Sequence, residues 1–170
     1  MTKTEKIAVR ALLIALAMVL SYVESQIQVF SMVPGMKLGL TNLVVMVALY
    51  RINEKEAVII NIIRIVLVGL TFGNSFSMAY SMAGGLLSGF VMILLKKTGR
   101  VSMTTVSVMG GIFHNVGQIL VATVVLETHS VLYYLMVLWM TGIVAGVIIG
   151  LISSQIVNRL PKNLLDGRTE

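Results

Sequence analysis

The sequence predicts an all-α membrane protein: one integral membrane domain over residues 1–170, with six transmembrane helices. Three observations predict it. First, 57% of the residues are hydrophobic and only 12% charged, and the apolar residues come in runs rather than in the alternation of a membrane β-barrel. Second, polar breaks divide the chain into six runs, at about 7–23, 38–50, 57–70, 76–95, 104–126 and 131–157. Third, of the 13 Lys and Arg residues only Lys37 and Arg64 fall outside four clusters. Those clusters are the amino-terminal segment, Arg51 with Lys55, Lys96-Lys97 with Arg100, and the tail with Arg159, Lys162 and Arg168. They alternate with loops almost free of basic residues, the positive-inside pattern, which places both termini in the cytoplasm of a multi-pass cell-membrane protein. The same placement explains the net charge of +6 without a nucleic-acid partner.

The first run follows Lys3, Lys6 and Arg10 and imitates a signal peptide, but it continues into Tyr22, Glu24 and Gln26 without a small-residue cleavage site, so a retained span is expected. Ala11 and Ala15 lie one turn apart on it. Such a face admits a second helix closely, either inside the bundle or on a partner subunit. The segment Ser25 to Val33 is amphipathic and is expected to lie over a cavity as a lid.

Next comes Pro34-Gly35-Met36-Lys37-Leu38-Gly39-Leu40-Thr41-Asn42, a polar interruption between two apolar runs. The run after it, 38–50, would be ~20 Å long as a helix, short of a hydrocarbon core ~30 Å thick. Such a helix starts below the membrane surface or is lengthened by the Pro-Gly turn. Free N–H groups at its start, with Lys37 beside them, favour an anionic group. The alternative is a plain turn with Lys37 reaching the headgroups.

The third run carries Asn61 and Arg64 three residues apart, on one face. An arginine at mid-span costs about 2.5 kcal/mol or more unless it meets water, a carboxylate or a ligand. The carboxylate candidate is Glu24, in a structural ion pair. In the fourth run Ser77, Ser81, Gly85 and Gly89 recur every four residues, with Gly84 and Ser88 beside them, read as close helix packing rather than ligand contact. The fifth run places Gly110, His114 and Gln118 on one stripe with Asn115 adjacent. A lone histidine is often a packing residue, but this amide-rich group must face the interior or a wet cavity. The sixth has Tyr133, Tyr134 and Trp139 near its start and a packing stripe of Gly142, Gly146 and Gly150. The tail after Pro161 is polar.

Several chemistries are missing. No P-loop string occurs, the sole aspartate is Asp166 in the tail, cysteine is absent, and His114 and His129 have no metal-ligand spacing. An enzyme is therefore not expected, and neither a cofactor nor a metal is expected.

The strings Tyr22-Val23-Glu24-Ser25, Pro34 to Asn42, Arg64 with Phe72-Gly73, Tyr80-Ser81-Met82-Ala83-Gly84-Gly85 and His114-Asn115-Val116-Gly117-Gln118 together resemble the Gx transporter family, often labelled heptaprenyl diphosphate synthase component I. The resemblance runs from about Ile7 to Val157. That family is similar to the S components of energy-coupling factor transporters, which implies a six-helix bundle with an outward-facing pocket capped by outer loops. It also implies an Ala-x-x-x-Ala face, matched by Ala11 and Ala15, that docks an energy-coupling transmembrane subunit working with ATPase subunits. The expected function is capture of a small, anionic metabolite among Lys37, Asn42, Asn61, Arg64, His114, Asn115 and Gln118, within membrane lipid. Two other readings stay open: a membrane accessory of isoprenoid or quinone metabolism that binds a prenyl diphosphate-like lipid, and a purely structural subunit.

Overall fold

The computed structural model describes residues 2–26, 39–125, 127, 133 and 135–160. They form six helices, α1 (Lys3–Gln26), α2 (Leu40–Arg51), α3 (Glu54–Thr71), α4 (Ser75–Thr98), α5 (Met103–Val125) and α6 (Leu135–Arg159), with no strand among the described residues. α1, α4, α5 and α6 are long and apolar enough to cross a membrane.

Local chemistry sets the ends. Thr2 and Glu5 exchange side-chain and backbone hydrogen bonds at 3.0 and 3.2 Å, a capping box that starts α1. Asn53 accepts from the Glu56 N–H at 2.8 Å to open α3, and Asn74 accepts from the Ser77 N–H at 2.7 Å to open α4. α4 ends at Gly99, whose φ of +64° is a left-handed conformation that a side chain would strain.

α2 is the interior of the bundle. It packs against α1, α3 and α6, while α3, α4, α5 and α6 follow one another as neighbours. Val44 to Leu49 are buried without a break, the signature of a helix that is apolar all round because protein surrounds it. Around its second half lie Ala17, Ile60, Met92 and Val106. The outer surfaces of α1 and α6 instead expose large apolar side chains such as Leu12, Val19, Met140 and Ile148, as lipid contact requires. Ala11 and Ala15 are on that exposed surface, so they do not pack inside the bundle.

Charged residues close one end. Arg10 holds Glu56 through both Nε and Nη2, and Lys96 and Lys97 lie 3.7 and 3.2 Å from Glu54. Lys96 also donates to the Leu49 carbonyl at 2.8 Å, and Arg51 to the Leu160 carbonyl at 2.7 Å. These cations meet the carbonyl ends of α2 and α6, where the helix dipole favours positive charge.

The Gly142, Gly146 and Gly150 stripe of α6 packs closely on α5, as a packing stripe should. A Cβ on Gly111 would come within 2.6 Å of the Gly142 carbonyl oxygen, and one on Gly146 within 2.6 Å of the Val108 Cα. α4 crosses α5 as tightly, since a Cβ on Gly117 would meet the Ala83 carbonyl oxygen at 2.7 Å. Gly89 differs, having no atom within 4 Å of its Cβ position. Gly117→Ala is therefore expected to destabilise by about 1–3 kcal/mol, and Gly89→Ala to be neutral or to stabilise by up to about 1 kcal/mol. Thermal unfolding of the two variants in one detergent checks the order.

Candidate functional site

A cavity of about 240 Å³ opens beside the start of α2 and receives side chains from all six helices. α1 contributes Ser21 and Glu24, and the start of α2 contributes Gly39, Thr41 and Asn42. Arg64, Ile65 and Val68 come from α3, and Phe72 from the turn after it. Ser77, Met78 and Ser81 of α4, His114 and Asn115 of α5, and Ile149 of α6 complete the wall.

Arg64 is only 8% exposed. Its Nε and Nη2 both donate to Asn61 Oδ1, at 3.0 and 2.8 Å, and Asn61 in turn donates through Nδ2 to the Gly85 carbonyl at 3.2 Å. A guanidinium has two forked edges. Asn61 takes one, and the edge formed by Nη1 and Nη2 has no acceptor among the described residues. Asn61, expected beside a ligand, is instead absent from the cavity wall and positions Arg64. The three-residue spacing that put both on one helix face also put the amide where the guanidinium reaches it first.

Glu24 and Arg64 make no direct ion-pair contact, although the Glu24 charge acts on Arg64 across the cavity wall; the ion pairs among the described residues are those of Arg10, Lys96 and Lys97. Its carboxylate accepts from the Gly39 N–H and from the Thr41 hydroxyl, the latter at 3.3 Å. It thus sits on the first turn of α2, where the helix dipole stabilises negative charge. Gly39 has φ +74°, a left-handed turn that feeds the chain into α2 below that carboxylate.

His114 lines the cavity where α5 crosses Gly84, its carbonyl oxygen 2.7 Å from a Cβ placed there. Asn115 reaches the cavity as well, but its Nδ2 is spent on the Leu138 carbonyl, tying α5 to α6. Gln118, also expected at a ligand, is fully buried away from the cavity with its Cγ against Gly84. Neither of its amide atoms has a partner among the described residues. Ser77 and Ser81, read as packing residues, face the cavity, whereas Gly85 of the same stripe packs on Asn61 and Ile65. The stripe runs along a helix that leaves the packed core partway. Lys37 and most of the amphipathic segment expected as a lid lie outside the described residues, as do residues 128–130 and the tail from residue 161. Glu24, Ser21 and Thr41 line the cavity beyond the residues the sequence assigns to a ligand. For Glu24 the signal is a carboxylate at the end of an apolar run, within the Tyr22-Val23-Glu24-Ser25 string. Among the described residues no group of three His, Cys, Asp or Glu side chains could hold a metal ion.

A family profile described as heptaprenyl diphosphate synthase component I matches residues 13–156. The chain belongs to that family. The component I family is also known as the Gx transporter family and is S-component-like, in agreement with the resemblance carried by the quoted strings. No curated protein and no solved structure matches the chain. In this family member the strings that carry the resemblance touch one another. Ala83-Gly84 packs on His114 and Gly117, Glu24 holds Gly39 and Thr41, and Asn61 links Arg64 to Gly85.

The two buried amides should respond differently to apolar replacement. Asn61→Leu removes the only bonded partner of Arg64 among the described residues and is expected to cost about 2–3 kcal/mol. Gln118→Leu replaces an amide that makes no bond there and is expected to be neutral or stabilising. Unfolding midpoints of both variants, measured without ligand, check this; equal losses would refute the assignment.

Proposed function

We propose that this component I family protein is the substrate-capture subunit of an energy-coupling factor type importer, binding a small metabolite through an anionic group. The observation that carries the reading is the free edge of Arg64 on the wall of a cavity lined by both polar and apolar side chains. An arginine inside an apolar bundle is costly, and an anion placed on its open edge would offset that cost. Lys37, His114, Asn115 and Asn42 are the other groups assigned to the ligand, with Asn61 acting through Arg64. The volume of about 240 Å³ is below the ~300–1,000 Å³ of sites that take drug-sized ligands, which favours a small solute. The chain carries no nucleotide-hydrolysing string, so transport would draw energy from ATPase subunits through a transmembrane coupling subunit. The start of α1 and the end of α6, near the pairs of Arg10, Lys96 and Lys97 with Glu56 and Glu54, are assigned to the cytoplasmic side together with both termini, and the cavity to the opposite side.

The family description favours a second reading, a non-catalytic membrane accessory that presents a prenyl diphosphate-like lipid to an enzyme. A diphosphate would use the same arginine. Native mass spectrometry of the gently extracted protein separates the two by the compound retained: a small solute supports capture for import, and a lipid diphosphate supports the accessory role. In either case Arg64→Gln and Lys37→Gln are each expected to lower retention about 10- to 100-fold, the scale of one charge-assisted hydrogen bond. Normal retention by Arg64→Gln would remove the anion site.

The exposed Ala11 and Ala15 are assigned to docking of the coupling subunit. Small side chains on a lipid-facing helix allow a second helix to approach, and Leu12 and Leu16 beside them supply apolar contact. Replacing both alanines with leucine should leave folding and ligand retention unchanged while reducing co-purification of a transmembrane partner. Unchanged co-purification would assign that face to lipid.

A further inference from the structure

The cavity holds a carboxylate as well as a guanidinium, and the two are not in direct contact. Each is held by neutral groups. Arg64 is held by Asn61, and Glu24 by the Gly39 N–H and the Thr41 hydroxyl. Each is 8% exposed, and that exposure is to the same cavity. A carboxylate has about four acceptor sites, of which these bonds use two, and the guanidinium keeps one forked edge.

Opposite charges in a medium of low dielectric attract strongly and would close on each other if their anchors released them. Their separation leaves unfinished coordination on both walls. A ligand that carried only an anion would complete Arg64 and set a second negative charge before Glu24, a like-charge contact in a poorly solvated space. A ligand with both signs completes both groups and leaves the described residues with no net charge in the cavity. Ile65, Val68, Phe72 and Met78 line the same cavity, apolar surface suited to a short carbon skeleton.

We infer that the ligand is a small amphoteric molecule, with an oxyanion on the open edge of Arg64 and a protonated nitrogen on Glu24. The inference rests on the capture reading of the same cavity and narrows its substrate class. Carboxylate and phosphate would serve equally as the oxyanion, and the mass of the retained compound distinguishes them.

The test exposes the purified full chain to a small-molecule cell extract separated by charge into anionic, cationic, neutral and amphoteric pools. Retained compounds are read by native mass spectrometry. The expected result is retention from the amphoteric pool, reduced about tenfold or more by Glu24→Gln and by Arg64→Gln. Retention from the anionic pool alone overturns the amphoteric assignment and leaves the capture reading standing, whereas retention from no pool overturns capture itself. Retention from the cationic or neutral pool alone, or a folded Glu24→Gln that keeps the amphoteric compound at the wild-type level, also overturns the assignment. The wild-type result decides without any variant, so a Glu24→Gln protein that failed to fold would not protect the inference.

Discussion

The structure depends on a helix that is too short. α2 has 12 residues, about 18 Å of helix against a hydrocarbon core of about 30 Å, and it is wrapped by other helices along nearly its whole length. A helix buried in this way must end inside the protein, and its first turn presents polar backbone where no lipid can satisfy it. Glu24 answers that need, taking the Gly39 N–H and the Thr41 hydroxyl from one side. The space left above the truncated helix is the cavity. At the other end Lys96 closes α2 by binding the Leu49 carbonyl, so a basic cluster that reads as topology alone also terminates the central helix.

The second constraint is the buried guanidinium. Arg64 is kept in place by one amide, and that amide is kept in place by the backbone of α4 at Gly85. The chain of contacts explains why a small residue suits this position. A Cβ on Gly85 would lie 3.0 Å from Asn61 Nδ2 and 2.7 Å from Ile65 Cδ1, so a side chain there would press on the amide that orients the arginine. Packing and charge placement are one arrangement at this point.

Close approach of α4, α5 and α6 supplies the rigidity of the remaining wall. In a membrane, helices gain little from burying apolar surface against each other, since lipid is equally apolar, and contact at short range has to do the work. Gly111 against Gly142 and Gly117 against Ala83 give that contact. They hold His114 and Asn115 at the cavity edge, with Asn115 bonded to the Leu138 carbonyl across the α5 and α6 seam.

What the sequence by itself determined is what depends on composition and on near neighbours along the chain. The helical membrane class, the six helices and the shortness of α2 are all local or additive properties. The oddity of Arg64 was equally legible, because a charge in an apolar run needs a partner whatever the fold. Which partner it takes was decided only in three dimensions. Helical spacing put Asn61, Arg64 and Glu24 among the candidates, yet whether the arginine met the carboxylate or the amide depended on how α1, α3 and α4 cross. The same holds for Gln118, buried against Gly84 instead of reaching the cavity with His114, and for Ser77 and Ser81, which leave the packing stripe that Gly85 continues. Ala11 and Ala15 show the reverse case: their spacing allowed packing inside or outside the bundle, and only the assembled helices turned them outward. Periodicity assigns a residue to a face of its helix, and only the crossing of helices decides what that face meets.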